Sequence, residues 1–219
     1  MQVSVESRPA SGIAVVTLDL GEELLADGRA LVAMSAGVTA RAIVGGLGGG
    51  VAGWVVAVAR AVGRHVVGGD PSVVCRFRAT AADQQVWLAP AGLGDVESIE
   101  LDGRRVIVLR EHAFLGAARG VHVVRAGRAG LLSCRGRGEL LVASHGALER
   151  VDVDGEVIVD VDHLVAFEGA LGVRGSTASG WWAEALPSAG GVRLRGAGTV
   201  WVQSRALAAL AAWAARAEG

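Results

Sequence analysis

Short apolar runs, rich in valine and separated by glycine and other turn-forming residues, recur along most of the chain. Residues 12–18 and 131–134 are examples, and such runs have high β-propensity. The pairs Asp102-Gly103 and Asp154-Gly155 each lie between two apolar runs, which predicts hairpin turns. About a dozen short strands at this spacing predict an all-β fold of the sandwich or barrel type.

Residues 205–216 depart from this pattern, because they are mostly alanine and leucine and contain no helix breaker. Leu207, Leu210, Ala211 and Ala214 recur at helical spacing. We therefore expect a C-terminal helix near 205–216 that docks by this face.

A second departure is the glycine-rich and apolar stretch at 42–66, an insertion between strands. Its glycines restrict the helical part to about 51–66, which is too short to span a membrane. The apolar stripe of this segment predicts an interaction surface formed by Trp54, Val55, Val58 and Val62. Packing on the body or on a neighbouring subunit is the preferred interpretation, and contact with a membrane surface is the alternative.

Internal repetition defines the organisation of the chain. Three strand pairs are alike, and their second strands centre on Trp87, Leu141 and Trp201. A second recurring element, an extended run that ends in Gly-Val, precedes each pair. We expect one β-rich domain over 1–219, built from three units near 25–100, 105–150 and 160–205.

Composition excludes several classes of protein. With 219 residues, 52% of them hydrophobic, the chain can fill a core, so it is not disordered. Its 33 glycines show no Gly-X-Y period, which excludes collagen. The net charge of -1 provides no general attraction to nucleic acid. All basic residues are arginine, which indicates a GC-rich bacterial genome, and two unpaired cysteines without a secretory signal favour the cytoplasm.

Six segments occur in the order and spacing of a known family. They are residues 31–35, 86–90, 113–117, 135–138, 161–167 and 195–205. Together they resemble the mitochondrial biogenesis family named after altered-inheritance-of-mitochondria protein 24. The resemblance implies a repeated β fold similar to that of the tryptophan RNA-binding attenuation protein. It also implies homo-oligomers, with a trimer favoured, and no established reaction or cofactor.

The sequence offers no convincing catalytic site. The five histidines include no HExxH pair, no GxSxG nucleophile motif occurs, and the glycine run at 45–50 lacks the lysine of a P-loop. Asp152 to Glu156 resembles the start of a calcium loop, but His163 stands where the bidentate glutamate belongs. We therefore predict a protein that is not an enzyme and uses no cofactor or metal.

Four arginines at corresponding places in two repeats form the other candidate site, an anion contact: Arg135, Arg137, Arg193 and Arg195. Pairing with carboxylates of a neighbouring strand is the preferred interpretation of these side chains, because the chain is 4% aromatic and offers little for base stacking. The leading hypothesis is a cytoplasmic, self-associating β-rich scaffold or binding module. The alternatives are a membrane-peripheral assembly factor that uses 51–66 and a nucleic-acid or anion binder that uses these arginines.

Overall fold

The computed structural model describes residues 1–9, 11–43, 74–126, 130–177 and 190–207, together with Ala209, Trp213, Ala215 and Arg216. Large antiparallel sheets in an open, sandwich-like arrangement confirm the all-β prediction. The helix predicted near 51–66 and its stripe lie outside the described residues. The strands are β1 (Gln2–Glu6), β2 (Ile13–Leu18), β3 (Glu23–Asp27), β4 (Leu31–Met34), β5 (Val38–Ile43), β6 (Val74–Ala79), β7 (Gln84–Leu88), β8 (Val96–Arg110), β9 (Phe114–Ala118), β10 (Val121–Arg125), β11 (Leu131–Ala143), β12 (Leu148–Asp160), β13 (Leu164–Glu168), β14 (Gly172–Thr177) and β15 (Gly190–Gln203).

One pairing pattern occurs three times along the chain. In the second occurrence, the long strands β8 and β11 pair with each other, and the short strands β9 and β10 pair with the two halves of β11. In the third, β12, β15, β13 and β14 take these places. In the first, each long strand is divided, so that β2 and β3 pair with β7 and β6, which also carry β4 and β5. We refer to these occurrences as units 1, 2 and 3, comprising β2–β7, β8–β11 and β12–β15.

The two Asp-Gly pairs do not form hairpin turns, which corrects the expectation from the sequence. Gly103 lies within β8 and Gly155 within β12, both with positive φ. Each long strand continues past its glycine because its partner runs beside it on both sides, as the unbroken register from Leu148 to Asp160 shows. The positive φ bends the strand locally without reversing the chain.

Units are joined by strand pairing as well as by the chain. In units 1 and 2 the first long strand, which in unit 1 is divided into β2 and β3, pairs with the first short strand of the next unit: β3 pairs with β9, and β8 pairs with β13. These pairings produce an 11-stranded sheet. Nine of its strands follow the order β12-β15-β13-β8-β11-β9-β3-β6-β5, and the other two, β10 and β14, pair with β11 and β15. A separate four-stranded sheet, β1-β2-β7-β4, completes unit 1.

Three hydrophobic clusters lie along this array. The cluster centred on unit 1 also contains Leu115 and Leu141 of unit 2. The cluster centred on unit 2 also contains Val165 and Trp201 of unit 3. The third cluster contains seven buried residues, all from unit 3. Each of the first two cores is therefore closed by side chains of the following unit.

Beyond β15 the backbone is helical at the described positions Leu207, Ala209, Trp213, Ala215 and Arg216, whereas Arg205 and Ala206 are not helical. The helix near 205–216 therefore stays a prediction. The docking face expected for this helix is not buried at Leu207, whose side chain is 56% exposed. Leu210, Ala211 and Ala214, the other members of that face, lie outside the described residues.

Candidate interaction surfaces

The outer edge of β4 carries exposed apolar side chains. β4 pairs with β7 on one side, and no described strand pairs with its other side. Val32 is 55% exposed, Met34 44% and Trp87, on the neighbouring strand, 37%. Together with Ala33, these residues form what we call the β4 edge. Unpaired backbone groups beside apolar side chains are typical of a strand that accepts another strand.

The strand registers identify the matching positions in the other two units. Three residue pairs are equivalent, and each is followed by a bulge: Leu31 with Leu88, Phe114 with Val142, and Leu164 with Val202. Val32 therefore corresponds to Leu115 and Val165, and Met34 corresponds to Ala117 and Phe167. Trp87 corresponds to Leu141 and Trp201 by the same registers.

The matching positions are buried wherever a preceding unit exists. Leu115 and Val165 are 2% and 0% exposed, against 55% for Val32. Leu141 and Trp201 are both fully buried, whereas Trp87 is not. This difference in burial has a clear cause. A strand of the preceding unit covers the later positions, since β3 pairs with β9 and β8 pairs with β13, whereas no described strand lies at the corresponding side of β4.

At the opposite end of the row of three units, the outer strand of unit 3 is also unpaired on one side among the described residues. β12 pairs with β15, and no described strand lies on its outer side. By the same registers, Ile158 corresponds to Leu25 of β3 and Val108 of β8, which are half-buried beneath the next unit. Ile158 is 55% exposed. We call residues 156–160 the β12 edge.

A family model, described as mitochondrial biogenesis AIM24, matches residues 3–205. The chain belongs to this family. The AIM24 assignment confirms the resemblance drawn from the six sequence segments. Among curated proteins, none matches the chain.

A crystal structure of a Streptococcus pyogenes protein has the same fold as this AIM24-family chain. The two share 22% identity, with a TM-score of 0.77, over 98% of each chain. At that identity the likeness concerns the fold alone. The similarity to the tryptophan RNA-binding attenuation protein stays a prediction.

The four arginines proposed from the sequence do not form one site in this AIM24-family structure. Arg193 pairs with the carboxylate of Glu156, and Arg195 lies directly opposite Glu156 across β12 and β15. Arg135 and Arg137 are exposed on β11 in unit 2, and Arg137 lies against Gly103. Within the described residues, no contact connects the arginines of the two units.

Sequence reasoning missed a more basic surface in unit 1. Arg76, Arg78 and Arg119 all approach Glu23, with guanidinium Nε atoms 3.8–4.0 Å from its carboxylate oxygens. Arg41 lies beside Arg76 on the next strand. The spacing of Arg76 and Arg78, two positions apart in a predicted strand, was a sequence signal for two arginines on one face. The proximity of Arg41 and Arg119 depends on strand pairings that the sequence does not specify.

The apolar stripe residues Trp54, Val55, Val58 and Val62 lie outside the described residues, so the membrane-contact alternative rests on sequence alone. In the part of the chain that the structure describes, no helix has the length and apolar character needed to span a bilayer.

Among the described residues, no group of three or more His, Cys, Asp or Glu side chains is placed to hold a metal. Burial raises the pKa of Cys134 to about 12, which suppresses its thiolate. The His163 Nδ1 atom lies 2.7 Å from the Gln203 carbonyl oxygen, and this contact holds its ring against β15.

Proposed function

We propose that this AIM24-family protein is a self-associating scaffold or binding module whose copies join head to tail. The β12 edge of one copy pairs with the β4 edge of the next copy. The observation that carries the proposal is the exposure of Val32, Met34 and Trp87 at positions that are buried in units 2 and 3. No catalytic role enters this proposal.

The register of the contact follows from the pairings inside the chain. Leu25 pairs with Ala117, and Val108 pairs with Phe167. The corresponding pair between copies is Ile158 with Met34. Neighbouring pairs are Val157 with Ser35 and Val159 with Ala33, so a short antiparallel ladder joins the two copies.

The hydrophobic clusters support the same arrangement. The cores of units 1 and 2 each contain two or more side chains of the following unit, whereas the core of unit 3 contains none. Val32 and Trp87 of the next copy would supply the missing side chains. Burial of such aromatic and aliphatic surface contributes about 25 cal/mol per Å².

A head-to-tail contact joins two different surfaces, so it generates either a closed ring or an open fibre. The family resemblance favours a ring of three copies. In such a ring the β4 edge and the β12 edge of every copy are covered by neighbouring copies.

Light scattering after gel filtration tests the proposal. We expect the wild-type protein to elute as an oligomer at micromolar concentration, and Met34→Asp and Ile158→Asp to elute as monomers. Leu93→Asp serves as the matched control, because Leu93 is 71% exposed in the loop between β7 and β8 and belongs to neither edge. A strictly monomeric wild-type protein would refute the proposal.

Mixing the two variants provides a sharper test. Met34→Asp keeps an intact β12 edge, and Ile158→Asp keeps an intact β4 edge. An equimolar mixture should therefore form a dimer that neither variant forms alone. If the mixture stays monomeric while each variant remains folded by circular dichroism, the contact is not head to tail.

A further inference from the structure

One face of the β3, β5 and β6 strands carries arginines in opposition. Arg41 of β5 is the direct antiparallel partner of Arg76 of β6, and Thr39 is the partner of Arg78. Directly paired residues point to the same face of a sheet, so Arg41, Arg76 and Arg78 lie on one surface. Glu23, the partner of Arg78 on β3, lies on the same face.

This arrangement costs stability when nothing else is bound. Like charges directly opposite each other on neighbouring strands destabilise a sheet. The carboxylate of Glu23 is 14% exposed and is approached by Arg76, Arg78 and Arg119, each at 3.8 Å or more. These separations exceed hydrogen-bonding distance, so the guanidinium donors are not used by Glu23.

Unit 3 carries the same set of charges at the corresponding positions. Arg174 is the direct partner of Arg193, and Arg195 is the partner of Glu156. Unit 2 has Val124 opposite Ser133 at the matching place, so the fold itself does not require arginines there. The unfavourable arginine pair thus occurs twice in one chain without a structural need.

The unit 1 face also has a cavity that is open to solvent. Its volume is about 480 Å³, and it is lined by Arg41, Arg76 and Arg78, with Leu20 and Ala79 at its apolar side. Arg119 adds a fourth guanidinium next to Glu23, which leaves an excess of three positive charges. Guanidinium forks match the oxygens of phosphate groups bidentately.

We propose that this face of unit 1 binds a small molecule that carries a diphosphate group. One phosphoryl group lies between Arg41 and Arg76, and the other lies near Arg78 and Arg119. The excess charge matches a diphosphate, and the apolar side of the cavity accommodates an attached organic group. Unit 3 provides a second, more closed site of the same type, since Arg193 already pairs with Glu156.

Calorimetric titration with inorganic pyrophosphate at low ionic strength tests the proposal. We expect binding by the wild-type protein and at least a tenfold loss of affinity in Arg76→Gln. Arg135→Gln is the matched control, because Arg135 takes the place of Arg78 in unit 2 without the opposed arginine pair. No binding at millimolar pyrophosphate, or an equal loss in both variants, overturns the proposal.

Thermal unfolding distinguishes the site from a structural ion cluster. A ligand site predicts that Arg76→Gln unfolds at a higher temperature than the wild type without ligand, since a like-charge pair is removed. Pyrophosphate should then stabilise the wild type more than it stabilises Arg76→Gln, in which only the unit 3 site is intact. Lower stability of Arg76→Gln, with no effect of pyrophosphate on either protein, assigns the arginines to Glu23 alone. Met34→Asp should bind pyrophosphate normally, which separates this proposal from the assembly proposal.

Discussion

Arg8 donates bidentate hydrogen bonds to Asp95, with Nε to Oδ1 and Nη2 to Oδ2 distances of 2.9 Å. The Asp95 side chain is fully buried, whereas that of Arg8 is 41% exposed. This pair fastens the turn after β1 to the start of β8, and so connects the N-terminal segment to unit 2. The amide of Val96 also donates to Asp95 Oδ1, which fixes the carboxylate in place.

Arg8→Met should lower the free energy of unfolding by about 3 kcal/mol, because it leaves a buried carboxylate without its counter-charge. Urea denaturation of the assembly-deficient Met34→Asp background measures this effect without a contribution from subunit dissociation. Arg125→Met is the control, since the Arg125–Glu111 pair is exposed and its loss should cost less than about 1 kcal/mol. Equal costs in the two variants would contradict the prediction.

The alternation of apolar residues was sufficient to predict the all-β fold, and the equivalence of Trp87, Leu141 and Trp201 agrees with the strand registers. One feature was displaced by two residues. The recurring Gly-Val pair in the sequence makes Val173 the counterpart of Val38 and Val121 in the third unit. The strand registers show instead that Leu171 is the equivalent residue. Leu171 is buried as they are, so burial and not the local motif sets the register.

Other features depend on contacts between distant residues that no local pattern encodes. Arg8 and Asp95 are separated by 87 positions. The division of unit 1 into shorter strands is different, because it follows from local turns at 19–22 and 80–83, where the apolar alternation is interrupted. The two edges were not foreseen, because their exposure becomes visible only by comparison with the buried equivalents in other units.

Trp87→Ala and Trp201→Ala should have different consequences, although the two residues occupy equivalent positions. Trp201 is fully buried, and its indole Nε1 donates to Glu97, so its removal should destabilise the monomer by about 3–5 kcal/mol. Trp87→Ala should leave monomer stability within about 1 kcal/mol and weaken assembly. Urea unfolding and sedimentation velocity measure the two effects. A large loss of monomer stability in Trp87→Ala would show that the β4 edge is part of the monomer core.

Gly136→Ala should be more destabilising than Gly155→Ala, although both glycines have positive φ, 122° and 117°. A methyl group at Gly136 would overlap the carbonyl of Gly120, whereas nothing lies within 4 Å of such a group at Gly155. Backbone strain of about 1–3 kcal/mol is common to both variants, so their difference isolates the steric overlap. Thermal unfolding at one protein concentration provides the comparison, and equal melting temperatures would argue against close packing of Gly136 on Gly120.

The imidazole rings of His112 and His145 stack with their centroids 5.8 Å apart, and this arrangement predicts an acid-sensitive contact between the turn after β8 and the loop after β11. Desolvation by the surrounding protein is the main cause that lowers the pKa of His112 to about 4. The charges of Arg110 and His145 also lower this pKa, whereas the charge of Asp162 raises it. The folded state therefore favours neutral His112, whereas the unfolded chain binds a proton near pH 6.5. Stability from this group is fully present above about pH 6.5 and is lost as the pH falls toward 4.

Because part of the His112 ring is exposed to solvent, the loss should amount to less than about 1 kcal/mol. His112→Gln should flatten the dependence of melting temperature on pH between 6.5 and 4. A proton NMR titration of the imidazole resonances measures the pKa directly. A midpoint near 6.5 for His112 would show that the stacked pair is open to water and does not sense acid.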